Sequence, residues 1–212
     1  MPSQDTLLSA RGLRKQYGAL VVLDGVDFEV RRGDAIGIVG PNGAGKTTLL
    51  SVLSGSQGAS AGAICFRGAD VSALDAARRC RMGIARTHQV PQPFGGMTVF
   101  ENVLTAATHG GGFKRADAYD RCIDALALCG MTKVANRRAE TLGLLDRKRL
   151  ELTRALATNP GVLLLDEIGG GLTDGEATEL VQTIRVLHAR DIAIVWIEHI
   201  VHILLQVAQR LV

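Results

Sequence analysis

Apolar runs alternate with segments of helical spacing along most of the chain. The segments 47–54, 147–158 and 175–189 place apolar residues at helical intervals, and the apolar runs lie at 35–39, 162–165 and 192–197. Strands without polar positions are typical of a parallel sheet that is covered on both faces. The pattern therefore predicts an α/β fold with a mostly parallel sheet.

Two other regions depart from this alternation. Shorter strands with mixed patterning are predicted at 7–13, 26–30 and 63–67. The middle of the chain has helical spacing at 73–79, 98–108 and 116–128, interrupted by the glycines of 109–112. This mostly helical region is interpreted as an insertion between two halves of the α/β core.

Composition and charge narrow the function classes. The 212 residues suit a single domain, and 47% hydrophobic with 21% charged residues exclude a disordered chain. With 24 basic and 21 acidic residues, the net charge of +3 gives no reason to expect a nucleic acid partner. The longest aliphatic or aromatic run, 192–197, is far short of the roughly 20 residues that span a bilayer. Any membrane role must therefore be peripheral.

A phosphate-binding motif follows the first apolar strand and precedes a predicted helix. It matches G-x-x-x-x-G-K-[ST] through Gly40, Pro41, Asn42, Gly43, Ala44, Gly45, Lys46, Thr47 and Thr48. Glycines let successive backbone N–H groups face phosphate oxygens, and the following helix adds its positive dipole end. Lys46 is predicted to reach the β- and γ-phosphates, and the Thr47 hydroxyl to ligate Mg²⁺.

A second pair of candidate residues ends the strand at 162–165. Asp166 comes at the carboxyl end of that strand, the edge where open α/β sheets bind ligands, and is predicted to hold Mg²⁺. Glu167 is one residue further on and can polarise an attacking water. Together with the phosphate loop, the pair predicts a nucleotide triphosphatase.

Further motifs in their order along the chain resemble the ATP-binding subunit of ABC transporters. The resemblance covers essentially the whole chain. It is carried by Gln89, by Gly171-Leu172-Thr173 at the D-loop, by His199, by Tyr17, and by the signature-loop position Leu142, Gly143, Leu144, Leu145 and Asp146.

The resemblance implies roles for these residues. Tyr17 would stack on adenine, Gln89 would link Mg²⁺ and the attacking water to a helical subdomain, and His199 would stabilise charge on the γ-phosphate. The signature loop would reach a partner subunit's ATP. With Lys46 and Glu167, the residues Gln89 and His199 form the expected catalytic set.

The family also implies an architecture. It comprises a P-loop NTPase core with a mostly parallel sheet, an antiparallel β-subdomain and an inserted α-helical subdomain. The core and β-subdomain would take residues 1–89 and 159–212, and the helical subdomain about 90–158. Family members continue beyond the strand that starts at 208–212, so we expect the C-terminal end to be truncated.

Three stretches resemble importers of branched-chain amino acids and related small molecules: 83–87, 149–152 and 197–199. The resemblance implies ATP and Mg²⁺ as cofactors, and integral membrane permease subunits and a second ATP-binding subunit as partners. A periplasmic binding protein would act indirectly, and the chain would sit peripherally on the cytoplasmic face of the inner membrane. Pro91, Phe94, Met97 and Phe100 form the expected docking surface for the permease, or alternatively part of the helical core.

The signature loop departs from the family pattern L-S-G-G-Q. Gly143 takes the serine position, Leu144 and Leu145 take the glycine positions, and Asp146 replaces the glutamine. A complete ATP site would then need a different subunit with an ordinary signature loop, so a heterodimer with unequal sites is favoured over a homodimer. Ile168 and Thr173 are smaller departures, at a usual proline and a usual Asp or Asn.

Other readings remain open at this point. One is a soluble ABC-type ATPase without a permease, and another is a regulatory nucleotide-binding subunit with weak hydrolysis. A P-loop phosphotransferase is a third, although it would not need Gln89, the signature region or His199. Five arginines are expected on solvated faces: Arg78, Arg79, Arg81, Arg137 and Arg138.

Overall fold

The computed structural model describes residues 5–212; the first four residues of the predicted core lie outside this range. In chain order the elements are β1 (Thr6–Tyr17), β2 (Leu20–Arg31), β3 (Ala35–Ile38), α1 (Lys46–Ser54), β4 (Ala61–Phe66), β5 (Ala69–Asp70), α2 (Ala76–Met82), β6 (Ile84–Arg86), α3 (Val99–Thr105), α4 (Arg115–Leu128), α5 (Leu144–Ala157), β7 (Val162–Asp166), α6 (Asp174–His188), β8 (Ala193–Ile197), α7 (Val201–Leu204) and β9 (Arg210–Leu211). A π-helical turn follows α3, and short 3₁₀ turns precede α5.

The strands form two sheets, as the fold class requires. A parallel sheet has the order β6-β7-β8-β3-β9, and an antiparallel sheet has the order β2-β1-β4-β5. Every residue of β3, β7 and β8 is buried, which is the reason for their unbroken apolar patterning. The parallel arrangement brings the carboxyl ends of β3, β6, β7 and β8 to one edge.

Strand β7 separates two hydrophobic clusters. Leu164 belongs to the cluster that packs α1 between the two sheets. Leu163 and Leu165 point the other way, into a cluster shared by α6 and the helices α3 to α5. The helical insertion thus packs into the same core as one face of the parallel sheet. The exact boundaries of the two subdomains stay a prediction.

Capping residues set several helix ends that hydrophobic spacing placed only approximately. The predicted helix 73–79 is in fact α2, because the Asp75 side chain accepts a hydrogen bond from Arg78 N and starts the helix there. Thr98 and Glu101 form a capping box at the start of α3. Strand β6 was missed as an element because three residues show no periodicity. No helix within residues 5–212 has the length and apolar character needed to cross a membrane.

The expectation that Arg79 lies on a solvated face is wrong. Arg79 is 1% exposed, and within residues 5–212 its side chain donates to backbone carbonyls alone. Nη1 reaches Val52 O and Leu53 O at 2.7 and 2.9 Å, Nη2 reaches Ser72 O at 3.0 Å, and Nε reaches Leu74 O at 3.0 Å. Burial lowers the pKa of the guanidinium, opposed by the charge of Asp70. Arg79 therefore caps the C-terminal end of α1, the helix that begins at the phosphate loop.

Arg79→Met is expected to lower the free energy of unfolding by about 3 kcal/mol or more, because it leaves buried carbonyls without donors. The exposed neighbour Arg78 provides a matched control, since Arg78→Met keeps those bonds. Urea titrations followed through the single, buried Trp196 measure both variants. Equal midpoints for the two variants would contradict the capping role.

Candidate active site

The phosphate loop connects β3 to α1 with glycines in conformations that other residues rarely adopt. Gly43 and Gly45 have φ of 84° and 86°. A Cβ on Gly45 would lie 3.0 Å from Val22 O, so the loop packs tightly against β2. The first backbone N–H groups of α1 have no partner further back in the helix, which suits them to anions.

Lys46 lies over the same loop. Its Nζ donates to Gly40 O and Pro41 O, each at 2.8 Å. The ammonium group is thereby held at the mouth of the loop beside the N-terminus of α1. This is the position from which a lysine can reach phosphate oxygens.

Asp166 ends β7 beside Thr47, the second residue of α1. Thr47 Oγ1 donates to Asp166 Oδ1 at 3.2 Å. The other oxygen, Oδ2, accepts from Arg86 Nη2 at 2.7 Å. With its side chain 2% exposed, Asp166 is a buried carboxylate with a cationic partner. Two of the three residues expected at the Mg²⁺ site, Thr47 and Asp166, are thus adjacent, and the side chain of the third, Gln89, contacts Glu167.

The Glu167 carboxylate lies between Gln89 and His199. Gln89 Nε2 donates to Oε2 at 2.5 Å, and His199 Nε2 lies 2.9 Å from Oε1. Gln89 follows β6, Glu167 follows β7 and His199 follows β8, so the three residues come from different parts of the chain. The parallel sheet brings them together at its carboxyl edge.

Glu167 has an unusual backbone conformation. Its φ is +47°, a left-handed value that non-glycine residues adopt at a cost. The backbone is held by Glu167 N donating to Ile197 O at 3.0 Å and by Gly170 N donating to Glu167 O at 3.3 Å. The turn separates the directions of two neighbouring carboxylates, so Asp166 faces Thr47 while Glu167 faces Gln89 and His199.

A second buried carboxylate supports this turn. Glu198 Oε1 accepts from Gly169 N at 2.6 Å, and Oε2 accepts from His199 N at 3.2 Å. Burial raises the pKa of Glu198, against these hydrogen bonds and the charge of Lys148. Burial also lowers the pKa of Lys148, whose Nζ lies 3.5 Å from Glu167 O. Glu198 thus fixes the loop after Glu167 to the residue that carries the histidine.

Tyr17 closes the hairpin between β1 and β2, with its ring 44% exposed. Its hydroxyl contacts Gln57, shortly after α1 ends, and Lys15 Nζ lies 4.9 Å from the ring centroid. Tyr17 is thus exposed at the surface, with the Lys15 ammonium group over its ring.

The degenerate signature loop forms the start of α5. Gly143 is the N-cap, with no side-chain cap, and Arg147 Nε donates to Leu142 O at 2.9 Å. Leu144 is 45% exposed and lies beside Gly171, while Asp146 Oδ1 lies 3.8 Å from Arg149 Nη1. The loop therefore keeps a helix N-terminus but offers no hydroxyl at position 143.

The predicted docking segment divides between surface and core. Phe94 and Met97 are exposed, at 46% and 39%. Phe100 packs edge-on against Tyr119, with ring centroids 5.3 Å apart, and Pro91 is half-buried. Phe100 thus belongs to the helical core, and Phe94 and Met97 remain for a surface role.

Sequence reasoning did not assign a role to Arg86, Lys148 or Glu198. A signal was present for Arg86, since an arginine directly after the apolar pair Ile84-Ala85 on a buried strand needs an anionic partner. Glu198 directly follows the buried strand β8, and a carboxylate in that position likewise needs a hydrogen-bond or cationic partner. Only the fold shows that their partners are Asp166 and Gly169.

The fold and the side chains at the carboxyl edge define a P-loop ATPase with the landmarks of an ATP-binding cassette. The family model described as "ABC transporter" matches residues 23–169. The chain belongs to the ABC transporter family and is one of its ATP-hydrolysing cassettes.

Known proteins resemble this chain over most of its length. The high-affinity branched-chain amino acid transport ATP-binding protein LivG of Salmonella typhimurium is 34% identical over 97% of this chain and 86% of its own. A nucleotide-free ATP-binding cassette from an ABC transporter superposes with a TM-score of 0.88 at 30% identity, covering 97% of this chain and 86% of that one. The ADP conformation of the cassette MJ1267 gives 0.86 at 31% identity, covering 95% and 85%.

Gly169→Ala is expected to lower kcat for ATP hydrolysis about tenfold, the equivalent of one strong hydrogen bond. The added Cβ would lie 2.6 Å from Glu198 Oε1 and would displace that carboxylate from Gly169 N. Nucleotide affinity should stay unchanged, because the phosphate loop is untouched. Steady-state hydrolysis and nucleotide titration measure the two quantities.

Gly170→Ala is the matched control, since its Cβ would make only an ordinary contact with Glu167 O at 3.5 Å. If the two alanine variants hydrolyse ATP equally well, the contact between Glu198 and Gly169 does not position the site.

Proposed function

We propose that this chain powers an ABC importer of branched-chain amino acids or related small molecules. It would bind ATP on the cytoplasmic face of the inner membrane and hydrolyse it there. The observation that carries the hydrolytic part is the placement of the Glu167 carboxylate between Gln89 and His199, beside Asp166 and the phosphate loop.

The phosphate loop and Lys46 would bind the ATP phosphates, and Tyr17 would stack on adenine. Support comes from the loop glycines, from the lysine at the mouth of the loop and from the exposed tyrosine ring. Backbone N–H groups and one lysine would supply the local positive potential, so a chain of net charge +3 needs no basic surface.

The residues fit a Mg²⁺ ion. Thr47 Oγ1 and Asp166 Oδ1 are hard oxygen donors 3.2 Å apart, the type of ligand that Mg²⁺ prefers. Thr47 and Asp166 would hold it, while Gln89, the third expected ligand, contacts the neighbouring Glu167 carboxylate through its amide nitrogen. When bound, Mg²⁺ would neutralise charge that develops on the phosphates.

Glu167 would act on the attacking water. Its carboxylate is 16% exposed and is oriented from both sides, so it can accept a hydrogen bond from a water in line with the γ-phosphate. Lys46 and His199 would stabilise the charge that builds up on the transferred phosphoryl group. Gln89 connects this reaction to the segment that follows it.

That segment would contact the permease. Phe94 and Met97 are exposed there, and Arg154 of α5 stacks on the Phe94 ring at 4.9 Å. A cavity of about 300 Å³ opens beside them, lined in part by His88, Phe94, Thr105, His109 and Arg154. Its position next to Gln89 would let docking of a permease segment reach the Glu167 carboxylate.

The transported substrate is proposed from similarity. LivG, whose name specifies branched-chain amino acids, matches nearly the whole chain. Such a subunit would work with permease subunits, and a periplasmic binding protein would deliver the substrate to them.

Transport by the reconstituted complex tests the proposal. We expect the chain to co-purify with permease subunits and to support ATP-dependent leucine uptake. Lys46→Ala should reduce uptake at least about tenfold through lost phosphate contacts. Lys133→Ala changes an exposed lysine outside the phosphate loop and should leave uptake unchanged.

Each failure identifies an alternative. A Lys46→Ala protein that still supports transport would contradict the ATP-driven role. Hydrolysis without any permease partner would indicate a soluble ATPase, and nucleotide binding without hydrolysis a regulatory subunit. Uptake of another solute in place of leucine would contradict the substrate class only.

We further propose that the second ATP-binding subunit is a different chain. Gly143 carries no hydroxyl, and exposed Leu144 stands where the family has glycine. A partner with an ordinary signature loop would complete the site built on this chain's Lys46 and Glu167. The degenerate loop would then face the partner's ATP, giving two unequal sites.

Glu167→Gln is expected to cost more transport-coupled hydrolysis than the equivalent change in the partner, since it removes the complete site. Gly143→Ser should raise hydrolysis at the partner's site, because it restores a hydroxyl in open space at an N-cap. Steady-state ATPase assays of the complex measure both variants. Equal losses from the two Gln variants, or assembly from this chain alone, would contradict the heterodimer.

A further inference from the structure

Arg86 links the two elements that carry the proposed Mg²⁺ ligands. It ends β6, three residues before Gln89, and its side chain is 11% exposed. In the parallel register Arg86 pairs with Leu164 of β7, which points to the same face as Asp166. The guanidinium therefore lies alongside the end of β7, facing α1.

Four hydrogen bonds close a ring through this guanidinium. Arg86 Nη2 donates to Asp166 Oδ2 at 2.7 Å and Nη1 donates to Ser51 Oγ at 2.8 Å. Ser51 Oγ donates to Thr47 O at 2.7 Å, and Thr47 Oγ1 donates to Asp166 Oδ1 at 3.2 Å. One arginine thus connects the helix of the phosphate loop to the strand of Asp166.

We propose that Arg86 is a positioning residue of the magnesium site, acting as a clamp between α1 and β7. It holds Oδ2 of Asp166 and so leaves Oδ1 turned toward Thr47. Through Ser51 it also fixes the turn of α1 that carries Thr47. The proposal rests on the proposed function, because it assumes that Thr47 and Asp166 hold Mg²⁺.

The clamp depends on both terminal nitrogens of the guanidinium. Arg86 Nε is buried without a hydrogen-bond partner among residues 5–212, so Nη1 and Nη2 alone anchor the group. A planar fork with two donors can bridge two acceptors that lie apart, whereas a lysine presents a single point charge. Bridging, and not charge alone, is therefore the function of the side chain.

The alternative is a purely electrostatic role for Arg86. It predicts the opposite effect of Arg86 on Mg²⁺ affinity. A cation beside Asp166 would repel Mg²⁺, so its removal would strengthen binding of the metal. Lysine would then replace arginine without loss, and Ser51 would not matter. The clamp requires the reverse in each case.

Binding of a fluorescent ADP analogue to the full chain separates the two roles. For each variant, the dissociation constant is measured in excess Mg²⁺ and in EDTA, and their ratio gives the gain in affinity due to the metal. Arg86→Met is expected to lower this ratio about tenfold, the loss typical of one charge-assisted hydrogen bond. Its affinity in EDTA should stay within about twofold of the wild type, because Lys46 and the loop are intact.

Two further variants keep the test decisive if Arg86→Met fails to fold. Ser51→Ala retains the charge pair but cuts the link to α1, so the ratio should fall about threefold, a typical neutral hydrogen bond. Arg86→Lys should keep only part of the gain in ADP affinity due to Mg²⁺, because a lysine presents a single point charge. Arg115→Met, at an exposed arginine of α4, is the control and should behave as the wild type.

A ratio that is unchanged in Arg86→Met and Ser51→Ala, or that rises in Arg86→Met, would overturn the clamp. A wild-type ratio of one would instead show that Thr47 and Asp166 hold no Mg²⁺, which is a failure of the proposed function. The two failures are therefore distinguishable in a single set of titrations.

Discussion

A buried carboxylate at the end of an apolar strand is the constraint on which the site depends. Asp166 is almost inaccessible to water, and an unpaired charge there would cost several kcal/mol. The cost is offset only if Arg86 on one side and Thr47 on the other stay within reach. The position of α1 against β7, and with it the position of the phosphate loop, follows from this requirement.

The loop after Asp166 is contacted by side chains from three distant parts of the chain. Gln89 and His199 hold the Glu167 side chain, Glu198 holds Gly169, and Lys148 of α5 approaches Glu167 O. Because α5 packs into the helical region, a movement of that region changes the surroundings of Glu167 directly. This arrangement suits an ATPase whose hydrolysis must respond to a partner.

Local sequence patterns predicted the fold class and the convergence of Lys46, Asp166 and Glu167, because motif spacing and strand direction place them at one edge. They did not predict the burial of Arg79, since its partners are carbonyls at the end of another helix. The link between Arg86 and Asp166 was missed for the same reason: it joins residues 80 positions apart. Such contacts depend on tertiary packing, which no local pattern encodes.

The left-handed backbone of Glu167 has a consequence for how the protein can change. A non-glycine residue in that conformation costs about 1–2 kcal/mol, and glycine would adopt it freely. The protein thus carries Glu167, its proposed water-activating residue, at a position where folding alone would favour glycine. Selection for heat resistance without selection for turnover would favour replacement of Glu167 by glycine. It would enrich variants that are more stable but no longer hydrolyse ATP.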